Sequence, residues 1–262
     1  MTFFNLAHLF SLDNPKWKTL RTKLTPTFTS GKMKMMFPTV CDVGNEFMET
    51  LTDEAGSAVN NEMEIKDILG RFTTDVIGSC AFGLDCNSLK DPNAEFRVKS
   101  RKVFDEPRNP VWKQIIINSF RETARKLHIK SISEDTSEFF MGIVKDTIDY
   151  REKNVVNRND FMHLLIQLKN NGMLDDGGKV GTITTEEIAA QAFIFFLAGF
   201  ETSSTALTYC LYELSLQQEV QEKARQSVEA VMKNHGNEFS YEAMMEMDYI
   251  ENCINGKEVK YH

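Results

Sequence analysis

An acid and four hydroxyls stand in the middle of the most apolar stretch of this chain. From Ile188 to Leu216 the sequence reads IAAQAFIFFLAGFETSSTALTYCLYELSL, and Glu201, Thr202, Ser203, Ser204 and Thr205 interrupt it. At helical spacing Ile194, Leu197, Ala198, Glu201, Thr202 and Thr205 share one face. That face offers an apolar wall, a place of close approach, then a carboxyl beside an alcohol. Gly199 sits in mid-helix, where glycine costs about 1 kcal/mol relative to alanine. A hydroxyl in a helix can return to the carbonyl four residues earlier and bend the rod there, so Thr202 would reach the Ala198 carbonyl. The same pattern also fits a tightly packed helix whose hydroxyls satisfy its own backbone. Spacing alone leaves both readings open.

The element that must carry this face runs from Thr184 to about Leu216, roughly 48 Å of helix at 1.5 Å per residue. Thr184 with Glu187 three positions on forms a capping box, and Glu186 adds negative charge to the first turn. Apolar residues surround its axis, the mark of a helix buried in a larger core. The apolar run from Ile188 to Gly199 is too short for the roughly 20 residues that span a membrane. Upstream, Asn14-Pro15 opens a helix to about Leu24, with Trp17 and Arg21 four apart on one face. Helical patterns follow at 31–54, 64–82, 94–104, 133–153 and 160–170. In the second of these Ile65, Leu69, Phe72, Val76 and Ile77 read as the inward face. A looser apolar run covers 112–120, and a polar turn from Asn171 to Gly178 delivers the chain to the long helix. Beyond it lie helices at 218–235, 240–247 and 248–255. No stretch reads convincingly as a strand, and the fold class is mainly α.

Composition excludes several functions. The 262 residues are 42% hydrophobic and 26% charged, an ordinary globular balance, with a net charge of −8. No basic stripe offsets that charge, which argues against nucleic acid. Cys41, Cys80, Cys86, Cys210 and Cys253 are odd in number and irregular in spacing, so neither a disulfide framework nor a zinc site is expected. The five histidines form no i, i+4 pair. The opening MTFFNLAHLF lacks a basic n-region and a long apolar run, so it reads as neither signal peptide nor anchor.

Two motifs resemble a known family. Ala198-Gly199-Phe200-Glu201-Thr202-Ser203 is similar to the A/G-G-x-D/E-T-T/S signature on the central helix of the cytochromes P-450, the haem (heme)-thiolate monooxygenases. Trp17-Lys18-Thr19-Leu20-Arg21 resembles the W-x-x-x-R of that family's C helix. The text after it, KLTPTFTSGKMKMMFP, resembles insect microsomal detoxification members. The resemblance runs from about Leu6 to Asn255. It implies a partial cytochrome P-450 fold, C helix to the start of the K helix, over residues 1–255, with 256–262 a divergent tail. It further implies haem iron as cofactor, with Arg21 pairing a propionate and Trp17 packing beside it. Ala198 and Gly199 would approach the haem face, and Thr202 would hydrogen-bond the oxygen there. Glu201 would relay protons, and Ile194, Leu197 and Ala198 would meet small lipophilic substrates. Electrons would come from NADPH through a flavoprotein reductase. Relatives act at the cytosolic face of the endoplasmic reticulum membrane, as microsomal monooxygenases.

The family pattern also fails in places. Its axial cysteine lies in F-x-x-G-x-x-x-C, but the residues four before these cysteines are Phe37, Val76, Phe82, Ala206 and Tyr249. No metal ligand is therefore expected here. The K-helix E-x-x-R has two text matches, Glu122 to Arg125 and Glu222 to Arg225, both better read as solvated ion pairs. Its proper place follows Asn255, where GKEVKYH stands instead. The expectation is a truncated or mis-spliced product without turnover of its own. The alternative is a non-catalytic helical protein that binds apolar ligand, or haem weakly.

Overall fold

The computed structural model describes residues 8–57, 62–105, 119, 123, 133–174 and 181–256. Among them every element is helical, so the mainly α expectation holds. Helix α1 (Lys16–Leu24) leads through a 3-10 turn (Thr25–Phe28) into α2 (Ser30–Ser57). Helix α3 (Ile65–Ile77) ends in a π-helical turn (Gly78–Phe82), followed by α4 (Glu95–Asp105) and α5 (Glu134–Asn154). Then come α6 (Phe161–Asn171), the long α7 (Thr185–Leu216), α8 (Gln218–Asn234) and the short α9 (Tyr241–Met245) and α10 (Asp248–Ile254). Most of the 106–120 region, the Glu122–Arg125 match and the tail from 257 lie outside the described residues.

The start of α7 follows its sequence. The Thr184 side chain accepts from the Glu187 amide at 3.1 Å, and the Glu187 carboxylate accepts from the Thr184 amide at 2.9 Å. Two orphan donors are thereby satisfied at once. Along its first four turns α7 is enclosed: Ile188, Ala189, Ala190, Gln191, Ala192, Phe193 and Phe196 are buried. Small residues there let α3 and α5 approach, and α3 makes the most extensive packing with α7 of any helix. An aromatic lattice fills the rest. Phe140 lies 5.0 Å from Phe193 and 5.4 Å from Phe196 (ring centroids), with Phe82 and Phe96 around them. Edge-on and tilted pairs of this kind add to plain area burial.

Beyond Phe200 the same helix comes into the open, with Tyr209 65%, Tyr212 57% and Leu216 63% exposed. Among the described residues a small cluster of Val220, Ala224 and Cys253, with Cys210 and Leu214 against it, anchors that half.

Two features depart from the periodicity. Helix α3 buries Arg71, Thr73, Thr74 and Asp75 along with Ile68 and Leu69, whereas Ile65, Phe72, Val76 and Ile77 are half-buried. Partners explain it: Arg71 reaches Glu54 and Asp67, and Asp75 accepts from the Ser88 and Leu89 amides at 2.8 and 2.9 Å. Buried polar groups are tolerated when they are bonded in this way. The second is the buried fork between Arg151 and Asp160, at 2.9 and 2.6 Å. Asp160 also caps α6 through the His163 amide, at 2.8 Å. Gly83 closes the α3 segment at φ 70°, and a Cβ there would lie 1.8 Å from the Arg151 guanidinium.

Candidate functional site

The structure distributes the residues of the expected α7 face unevenly. Thr202 donates its hydroxyl to the Ala198 carbonyl, as the spacing predicts. Ala198 and Thr202 are exposed, Leu197 is half-buried, and Ile194 is buried. Neighbouring hydroxyls do the same: Ser204 donates to the Glu201 carbonyl at 3.1 Å, and Thr208 to the Ser204 carbonyl at 2.7 Å. Such back-bonding loosens the ladder and permits a bend.

Glu201 points elsewhere. Its carboxylate lies 3.0 Å from Lys66 Nζ on α3. There it lines a cleft of about 310 Å³ together with Asp67, Arg97, Arg101, Phe104 and Phe200. Burial lowers the pKa of Arg97, and Asp67, 2.8 Å from its guanidinium, works against that. The carboxyl and the alcohol are thus adjacent in sequence but open on different sides of α7. Gly199 also turns out differently from a surface of close approach to a ligand. A Cβ there would lie 2.9 Å from Ile77 Cδ1 and 3.3 Å from Cγ1, so the hollow left by the missing side chain is filled by α3.

Trp17 and Arg21 project from α1, both exposed, with Trp17 41% accessible. Leu20 and Leu24, three residues on from Trp17 and Arg21 and so beside them on the helix, are buried in the main core. Lys23 Nζ donates to the Thr182 carbonyl at 2.6 Å, just ahead of α7. Phe28, in the turn after α1, lies 4.9 Å from Phe195, one helical turn before Ala198 and Gly199. Helix α1 is therefore tied to the start of α7. Trp17 lines its own cleft with Leu9, Phe10, Leu12, Asp13 and Asn14, separate from the one beside Glu201.

Lys66, Thr73 and Ile77 touch this segment and were not legible as site residues. Their 66, 73, 77 spacing marks one helical face, but nothing in their types distinguishes it from an ordinary amphipathic stripe.

The chemistry of the donors decides how far a haem fits. An exposed guanidinium on α1 suits a carboxylate, and an exposed alanine with a hydroxyl one turn on suits a flat ring laid on α7. An axial ligand is another matter. Burial pushes the Cys80 thiol up to about 11 and raises Cys86 further, while Cys41 and Cys210 are raised too, again chiefly by burial. Burial of this kind disfavours the thiolate form. No group of three or more His, Cys, Asp or Glu side chains among the described residues could hold a metal ion. The donor chemistry of Arg21 and of the Ala198–Thr202 face is compatible with the edge and face of a macrocycle, and the buried thiols offer no activated ligand for iron.

The family model described as Cytochrome P450 matches residues 2–257. Over 252 residues the chain is 49% identical to Cytochrome P450 6a9 of Drosophila melanogaster, covering 95% of this chain and 49% of that protein. It is 44% identical to Cytochrome P450 6A1 of Musca domestica over 256 residues, 97% of this chain and 50% of that one. The chain spans about half the length of the relatives it matches. With the family model matched along nearly all its length, and the tryptophan-arginine and acid-alcohol motifs on the helices where they were expected, the chain belongs to the cytochrome P450 family.

Proposed function

We propose that this chain carries the central-helix part of a haem-dependent monooxygenase site for small lipophilic compounds, supplied with electrons by an NADPH-dependent flavoprotein reductase at the endoplasmic reticulum membrane. The observation that carries the reading is the open Ala198–Thr202 face of α7, with its hydroxyl held against the Ala198 carbonyl, in a chain of this family. When bound, haem supplies the iron at which dioxygen is reduced and one oxygen atom is passed to a substrate. Arg21 would hold a propionate and Trp17 would shield that contact. Ala198 admits the ring plane, and a larger side chain would exclude it. Thr202 can exchange its intrahelical bond for one to a group on that face. Glu201, turned to Lys66 in the α3 cleft, would have to leave that pair to relay a proton toward Thr202, the general-acid role the family resemblance implies. Ile194 and Leu197 form the apolar wall.

We further propose that the chain does not turn over by itself, because none of its cysteines has glycine four places before it. A second reading, an apolar-ligand or haem binder without catalysis, is favoured by the exposed Tyr209, Tyr212 and Leu216. Titrating haem into the purified chain, followed by absorbance, separates these. One-to-one uptake weakened about tenfold by R21A, the order expected for a charged hydrogen-bonded pair, and abolished by A198F supports the haem site. Uptake indifferent to both variants removes it. A reduced-CO band typical of thiolate ligation would overturn the claim that the chain is inactive alone.

A further inference from the structure

Four residues of α3 meet α7 at the segment bearing the acid and the alcohol. Lys66 Nζ is 3.0 Å from the Glu201 carboxylate. The Phe200 ring packs beside Gly70, 3.8 Å from where a Cβ would stand. The Thr73 hydroxyl donates across the helix pair to the Phe200 carbonyl at 3.1 Å. Ile77 fills the hollow at Gly199. Positions 66, 70, 73 and 77 form one stripe along α3, and they address three consecutive residues of α7: Glu201, Phe200 and Gly199.

We propose that this stripe is the template that fixes the rotation and position of α7 at its acid–alcohol segment, with Lys66 and Thr73 as positioning residues. In a helix the Phe200 carbonyl already takes the amide four residues on. A second donor from outside holds that carbonyl against tilting, where back-bonded hydroxyls on either side loosen the ladder. Thr73 is buried, so water cannot replace its hydroxyl. The Lys66–Glu201 pair is partly exposed, and an exposed pair holds a side chain only weakly. Its part is to keep the carboxylate turned toward the α3 cleft and away from Thr202. The proposal deepens the monooxygenase reading and takes its purpose from it, but its contacts lie wholly within the chain.

Amide hydrogen exchange on the full chain tests the template without any cofactor. Thr73→Val removes the hydroxyl at nearly constant shape, and Thr73→Ser retains it. Exchange across residues 199–205 should rise about two- to tenfold in T73V, the range for one lost hydrogen bond, return toward the parent rate in T73S, and stay unchanged in α6. For Lys66, the Glu201 carboxyl carbon resonance, assigned with E201Q, should shift in K66Q and stay fixed in K90Q, a control lysine paired with Glu46. Uniform or absent acceleration in T73V, failure of T73S to restore it, or a Glu201 resonance indifferent to K66Q would overturn the proposal. A failed haem titration beside an intact exchange pattern would remove the monooxygenase reading and leave the template standing.

Discussion

Replacing Gly199 with alanine sets two effects of known sign against each other. Alanine in mid-helix gains about 1 kcal/mol in propensity over glycine. Against that, the new methyl would lie 2.9 Å from Ile77 Cδ1 and 3.3 Å from Cγ1. The Cδ1 end can swing away. Cγ1 cannot follow so easily, because a β-branched side chain on a helix is stiff at χ1. Overpacking typically costs about 1–3 kcal/mol, and a value near 2 leaves G199A about 1 kcal/mol less stable than the parent, or roughly 2–4 °C in Tm for a chain of this size. I77A removes both of those atoms and by itself costs about 2–5 kcal/mol. In that background G199A should be neutral or stabilising. The double-mutant cycle should therefore show a coupling of about 1 kcal/mol. Urea melts of the four proteins by far-UV circular dichroism measure it. If G199A stabilises the parent by the full propensity gain, or the coupling vanishes, then α3 does not occupy the hollow and the glycine must answer to some other neighbour.

Four further outcomes follow from packing and burial. D160N should cost about 3–5 kcal/mol in a denaturant melt, because it leaves the Arg151 guanidinium buried beside a neutral amide and weakens the α6 cap. D135N, at an exposed pair with Lys99, should be close to silent in the same assay. T184A should cost about 1 kcal/mol and speed amide exchange in the first turn of α7 only; unchanged exchange there would deny the capping box a role. Burial lowers His8 from 6.5 to about 4, so above pH 6.5 it is neutral in both folded and unfolded chains. Below that the unfolded chain binds the proton first, and stability falls as pH drops from 6.5 toward 4. H8Q should flatten the pH dependence of the urea midpoint in that window, and an unaltered slope would assign it to other groups.

Helix positions were legible because their signals are local. The Thr184–Glu187 box, the Asn14-Pro15 start and Gly83 after the α3 segment each act within a turn of the residue that announces them. The back-bond from Thr202 to Ala198 was legible for the same reason, and so was the exposed pair of Glu222 and Arg225, with Arg225 Nε 2.9 Å from the carboxylate. What hydropathy missed depends on partners far along the chain. Arg71 is buried because Glu54 lies 17 residues back and the Leu89 carbonyl 18 residues on. Glu201 shares a sequence face with Thr202, yet it turns to a lysine on another helix. Adjacent residues on a helix differ by about 100° in direction, so either could have served the open face, and the choice was made by α3. That is why a motif can name the acid and the alcohol while leaving open what they point at: the motif lies on one helix, and the direction is set by the stripe on its neighbour.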